Sequence, residues 1–98
     1  MEIIKNADGA SLKIALEGRL DTMTAPQLEN ELKDSLDGVI SLLLDFEKLS
    51  YVSSAGLRVI LGAQKIMNKQ GEMKIVNVSR DIMEIFDITG FSDILTIE

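Results

Sequence analysis

The stretch "VISLLLDF", residues 39–46, constrains the fold of this chain more than any other. It is a nearly unbroken apolar run, with Gly38 before it and the polar "EKLS" after it. It has the length of a strand and no strand-like alternation. That is the pattern of a central strand with both faces at least partly covered. Such a strand needs neighbours on both edges and helices to lie over it. A chain of 98 residues has room for one such core and therefore for one domain.

The flanking segments supply what the strand needs. "EIIKNADGASLKIALEG" reads as a hairpin over residues 2–6 and 11–17, with Leu12, Ile14 and Leu16 alternating and Asp8-Gly9 as the turn. Gly18 is expected to end its second strand. "DTMTAPQLENELKDSLDG" reads as a helix. Thr24 is its expected cap, Gln27 completes a capping-box pattern, and Pro26 sits in the first turn where no N–H is missed. Leu28, Leu32 and Leu36 make one apolar stripe, and Gly38 stands just past the end.

After the central strand a loop is expected, "EKLSYVSS", and then a helix in "AGLRVILGAQKIMNKQG". Leu57, Ile60, Leu61 and Gln64 share one of its faces, Val59, Ala63 and Ile66 another, and Gly71 stops it. "EMKIVNV" reads as a strand. "SRDIMEIFDITGF" reads as a short helix capped by Ser79, closed by Gly90, and burying Ile82, Ile85 and Phe86. "DILTIE" reads as a short last strand. The order β-β-α-β-α-β-α-β predicts an α/β fold over residues 1–98. Its mixed sheet starts with an N-terminal hairpin, continues through right-handed crossovers, and carries packed helices.

Composition narrows the chemistry. The net charge is −6 with no run of Lys and Arg, which disfavours nucleic acid and anionic membrane as partners. There is no histidine, so Ser–His chemistry is excluded. There is no cysteine, which fits a reducing compartment. No stretch of eighteen apolar residues predicts direct membrane insertion, and "MEIIKNADG" does not read as a signal peptide. Phosphate-loop and dinucleotide motifs are missing, so no cofactor is expected. Asp21, Asp45 and Glu47 have the chemistry of a magnesium cluster but read as loop and cap residues. Enzymatic function is not expected.

Ser53 and Ser54 remain. They lie where a loop after a central strand turns into a helix, the place where open α/β sheets gather ligand and partner sites. The plainest reading is that one serine caps the helix. The sharper one is a charge switch: Ala55 and Gly56 leave the hydroxyls approachable, and a phosphate there adds about −1.5 to −2 charges. Asp21, after the second strand, is expected near this loop and able to tune it. Its plainer role is a turn residue. Arg58, one turn into the helix, suits a phosphate or a partner carboxylate, or is simply exposed. Val59 and Ala63 mark either a docking face or a helix buried on two sides.

"GRLDTMTAPQLENEL", "LLLDFEKLSYVSSAGLRVIL" and "IMEIFDITGFSDIL" together resemble the STAS domain family, in particular its small bacterial anti-sigma-factor antagonists. The middle segment is the specific one. The resemblance implies a cytoplasmic transcription regulator that works by partner switching. The unphosphorylated protein binds an anti-sigma factor that is also a serine kinase, and so frees a sigma factor. Phosphorylation breaks the complex, and a metal-dependent serine phosphatase restores it. By position the phosphoacceptor is Ser54, with Ser53 the lesser alternative. Partner contacts are expected from Asp21, Thr22, Ser53, Ala55, Gly56, Leu57, Arg58 and Val59. Ser53 stands where many such antagonists have Asp. A monomer is expected when the protein is free. The alternative within the same resemblance is a STAS subunit of a membrane ABC transport complex, in which Ser54 only caps.

Overall fold

A hairpin opens the chain as its turn chemistry demands. In the computed structural model, which describes residues 1–98, β1 (Glu2–Asp8) and β2 (Ser11–Leu20) pair antiparallel from Asp8↔Ser11 to Glu2↔Glu17. Gly9 takes φ +61° at the turn, a conformation that costs glycine little. β2 runs past Gly18 to Leu20, three residues further than expected. Gly18 does not end the strand. At φ +106° it lies beside a break in register, where glycine admits the irregularity.

α1 (Ala25–Ser35), β3 (Ser41–Val52), α2 (Ser54–Gln70), β4 (Glu72–Val76) and α3 (Arg80–Thr89) follow in alternation. The sheet order is β1-β2-β3-β4, with β3 parallel to both β2 and β4. β3 includes "EKLSYV", where the sequence predicts a loop: its alternation is blurred by two adjacent exposed residues, Glu47 and Lys48, at a second break in register. The expected last strand reduces to a 3₁₀ turn at Phe91–Asp93 and a single bridge. The bridge is held by Ile75 N–H donating to Thr96 O and Glu98 N–H donating to Ile75 O, each at 2.9 Å. Only Ile75 on β4 offers it a partner, so the ladder cannot extend.

One cluster of 24 buried apolar residues forms the core. Leu12, Ile14 and Leu16 of β2, Leu42, Leu44 and Phe46 of β3, and Met73 and Ile75 of β4 point into it. Leu28 and Leu32 of α1, Ile60 and Met67 of α2, and Ile82 and Phe86 of α3 meet them. The Phe46 and Phe86 rings lie 6.5 Å apart. Ile85, expected inside, is half-buried. All three helices thus share one face of the sheet. The other face shows Lys13, Ala15, Glu17, Leu43, Asp45 and Lys74, all partly or fully exposed. The apolar run of β3 is therefore not covered equally on both sides.

Two close approaches fix α2 in place. Gly71, its C-cap, sits where a Cβ would drive into the Ile40 backbone. Gly56 presses the start of α2 against the end of β2: a Cβ there would stand 2.7 Å from Leu20 Cγ and 3.0 Å from Leu20 O. Ser53 N–H donates to that same Leu20 oxygen at 2.8 Å. These contacts carry the parallel pairing of β2 and β3 into the loops beyond it.

Candidate functional site

The parallel pairing brings the ends of β2 and β3 side by side, Arg19 opposite Tyr51 and Leu20 opposite Val52. The loops that leave these strands start α1 and α2. Asp21 and the two serines, 32 and 33 residues away in sequence, therefore share one end of the sheet.

The structure gives the two serines different work. Ser53 is the N-cap of α2, in extended conformation, and its Oγ accepts from Gly56 N–H at 3.3 Å. It is half-buried. Ser54 is the first residue of the helix proper. It is exposed, and its hydroxyl takes part in none of the side-chain hydrogen bonds that tie this end of the sheet together. One serine satisfies an orphan N–H of the first turn. The other is available.

Asp21 organises the facing loop. Its Oδ1 accepts from Met23 N–H at 3.0 Å and from Thr24 N–H at 3.1 Å, and Arg19 Nε stands 3.8 Å from its Oδ2. The Thr24 backbone N–H is the main cause that holds the Asp21 carboxyl below the ordinary aspartate range; Met23 N–H, the Thr24 hydroxyl and Arg19 add to it, against some desolvation. Thr24 is the N-cap position of α1, but its side chain caps nothing in the helix. Its hydroxyl donates to Arg19 O at 2.7 Å and accepts from Asp21 N–H at 2.8 Å. The expected capping box is therefore not formed. Gln27 reaches instead to Met1 O at 3.2 Å.

Of the predicted contact residues, Asp21, Ser53 and Ala55 are half-buried, and Thr22 and Arg58 are exposed. These form the accessible rim with Ser54. Gly56, Leu57 and Val59 are buried, so they shape the site from beneath. Val59 and Ala63 are buried and lie next to Glu29 and Leu32 of α1, which makes α2 a helix buried on two sides. A shallow cleft between the helices is lined by Thr22, Pro26, Ala55, Arg58 and Val59.

Three residues at this end escape a reading of the sequence alone. The Arg19 guanidinium lies 4.3 Å from the centre of the Tyr51 ring, in reach of a cation–π contact. Met23 is 86% exposed at the tip of the Asp21 loop. Arg19, Tyr51 and Met23 are all exposed, and Arg, Tyr and Met are residue types enriched in protein interfaces. Only the register of β2 against β3 could have brought Arg19 and Tyr51 together.

Asp45 and Glu47 are strand residues, not loop residues. Asp45 Oδ1 accepts from Asn77 Nδ2 and from Glu47 N–H, each at 3.0 Å, and Lys13 stands 3.8 Å from its Oδ2. The Asn77 bond is the largest cause of its lowered pKa. Asn77 holds φ +59° in the turn after β4, a conformation Asn tolerates better than most residues. The carboxylate thus anchors that turn. No three acidic side chains converge as metal ligands, and no helix is long and apolar enough to cross a membrane.

A mixed sheet with helices on one face, and an exposed serine at the start of a helix, define a small α/β module. The chain belongs to the STAS domain family, whose model matches residues 2–98. It is 34% identical to the anti-sigma-B factor antagonist of Listeria monocytogenes, over 97% of this chain and 85% of that protein. It is 33% identical to the anti-sigma-B factor antagonist of Bacillus subtilis, over 88% of this chain and 80% of that protein. Its fold matches the anti-sigma factor antagonist SpoIIAA in its unphosphorylated form with TM-score 0.78 and 20% identity, over 99% of this chain and 87% of that one. The phosphorylated form of this Bacillus cell fate determinant matches at 0.77, over 99% of this chain and 91% of that one.

Proposed function

We propose that this protein is an anti-sigma factor antagonist that works in the cytoplasm by partner switching at Ser54. The unphosphorylated form binds an anti-sigma factor with serine kinase activity and releases a sigma factor. Phosphorylation of Ser54 ends the complex, and a metal-dependent serine phosphatase resets it. The chain itself is a binding protein and catalyses nothing.

One observation carries this reading: of the two serines at the start of α2, Ser53 is committed to the cap and Ser54 is exposed with its hydroxyl free. A kinase can reach Ser54 without unwinding the helix. The relatives named anti-sigma-B factor antagonists support the regulatory role, and SpoIIAA, described in phosphorylated and unphosphorylated forms, supports the switch. The physics of release is local. A neutral hydroxyl beside Ala55 can be buried against a partner. A phosphate there has to shed its water, and an uncompensated buried charge costs several kcal/mol.

The test is capture from a lysate of the source organism with native, Ser54→Ala and Ser54→Asp baits. Native and Ala baits are expected to retain a serine kinase that the Asp bait loses. Equal retention by all three would reduce Ser54 to a structural residue, and a transporter ATPase among the retained proteins would move the chain to a transport complex.

A further inference from the structure

Helix α2 differs from the other two helices in charge. α1 carries Glu29, Glu31 and Asp34 against Lys33, and α3 carries Asp81, Glu84 and Asp87 against Arg80. α2 carries Arg58, Lys65 and Lys69 and no acidic residue. It is the one positive helix in a chain of net charge −6.

Its three cations share one side. With 3.6 residues per turn, Arg58, Lys65 and Lys69 fall within about 40° of one another. Ser54 stands about 40° from Arg58, one turn earlier. All four are exposed. The line from Ser54 to Lys69 runs about 22 Å, nearly the whole helix. No contiguous basic run announces it; the helical period collects it.

None of the three cations is engaged inside the protein. Lys5, Lys13, Arg19, Lys33, Lys48 and Lys74 each stand within 4.0 Å of a carboxylate, and those six pairs include no residue of α2. Glu29 lines the same cleft as Arg58 but pairs with Lys33 at 3.7 Å. Beside the charges lie Gly62, where a Cβ would meet nothing within 4 Å, and Ile66, 40% exposed. The basic line therefore has an open, apolar margin along which another chain can approach.

We propose that the exposed side of α2 is a docking track for a protein partner that presents a row of carboxylates, with Ser54 as the charge gate at its head. This rests on the reading of Ser54 given above and adds the chemistry of the partner's surface. Charge complementarity selects the occupant. Most of this acidic chain repels polyphosphates and anionic lipid, while a short row of cations over an apolar margin suits an acidic helix or strand. A phosphate on Ser54, about −1.5 to −2 charges, lies at the i, i+4 position to Arg58. It lowers the charge of α2 from +3 to about +1. The partner loses its attraction with no change of fold.

The test begins with the ¹⁵N-labelled full chain titrated with poly-L-glutamate, and in parallel with phosphatidylserine vesicles and single-stranded RNA. Poly-glutamate is expected to shift the amides around Ser54, Arg58, Lys65 and Lys69, and to bind the Lys65→Gln/Lys69→Gln variant about fivefold more weakly. Both lysines are exposed, so the thermal midpoint of the variant serves as its folding control. Equal binding by the variant, or shifts elsewhere, overturns the track; tighter binding of vesicles or RNA overturns the choice of partner. The kinase captured by the native bait, once purified, is expected to associate with the variant about tenfold more slowly and with less salt dependence. Equal rates overturn the track and leave the Ser54 switch standing. If no kinase is captured, the Ser54 reading fails and the poly-glutamate result decides the track alone.

Discussion

At the start of α1, Asp21 and Thr24 turn their oxygens onto the backbone around them; at the start of α2, only Ser53 does so. The two helix starts stand side by side at one end of the sheet, and each has unpaired N–H groups to satisfy. The first is tied down by a carboxylate with a lowered pKa and a hydroxyl bonded on both sides. The second has two hydroxyls for one capping job. The surplus one, on Ser54, faces solvent. A hydrogen-bonded loop next to an uncommitted hydroxyl is the arrangement that the proposed switch requires, since Ser54 could be modified without unfolding the module.

The largest blow to this contrast is expected from Gly56→Ala, which brings a methyl group onto Leu20. Overpacking of this kind costs about 1–3 kcal/mol and displaces the start of α2. Urea unfolding would read the loss; an unchanged midpoint would mean that Leu20 yields easily. Next, Ser53→Ala should cost about 1 kcal/mol, the usual value of a cap, whereas Ser54→Ala should stay within about 0.5 kcal/mol. Equal losses would erase the distinction between the serines.

Acid should act on Asp21 and Asp45 together. Both have lowered pKa values in the folded protein, so their stabilisation is present above the unfolded value of about 4 and is lost as pH falls through the folded values. Urea midpoints measured down through that window should drop in the native protein and drop less in Asp21→Asn and Asp45→Asn. The smallest stability effect belongs to Met23→Ser, at a side chain that is 86% exposed, with a change within about 0.5 kcal/mol. Its effect should appear in kinase capture instead; undiminished capture would show that Met23 does not touch the proposed partner.

Much of this was legible in the chain. The apolar run of β3, the Asp8-Gly9 turn, the leucine stripe of α1 and the Ser79 and Gly90 boundaries of α3 each follow from local chemistry that the fold does not override. The ends of β2 and β3 were not legible, because both strands continue through register breaks that interrupt their alternation. The last strand failed because its apolar residues have a partner only at Ile75. Around the site, the sequence places Ser53 and Ser54 at a helix start but cannot divide the work between them; that takes the direction of one hydroxyl. Arg19 on Tyr51 needs the pairing of two strands distant in sequence.

The sheet order β1-β2-β3-β4 repeats the order of synthesis. Each strand finds its neighbour in the strand made just before it, so the loops to be closed stay short and the entropy lost at each step stays small. β1 through the first turns of α2 already hold Asp21, Ser53, Ser54 and the Leu20–Gly56 contact. β4, α3 and the final bridge at Ile75 come later and lie apart from the serines. Folding can therefore lay down the end that holds the serines first and close the core behind it. Pulse-labelled hydrogen exchange would register this as earlier protection of β2 and β3 than of α3.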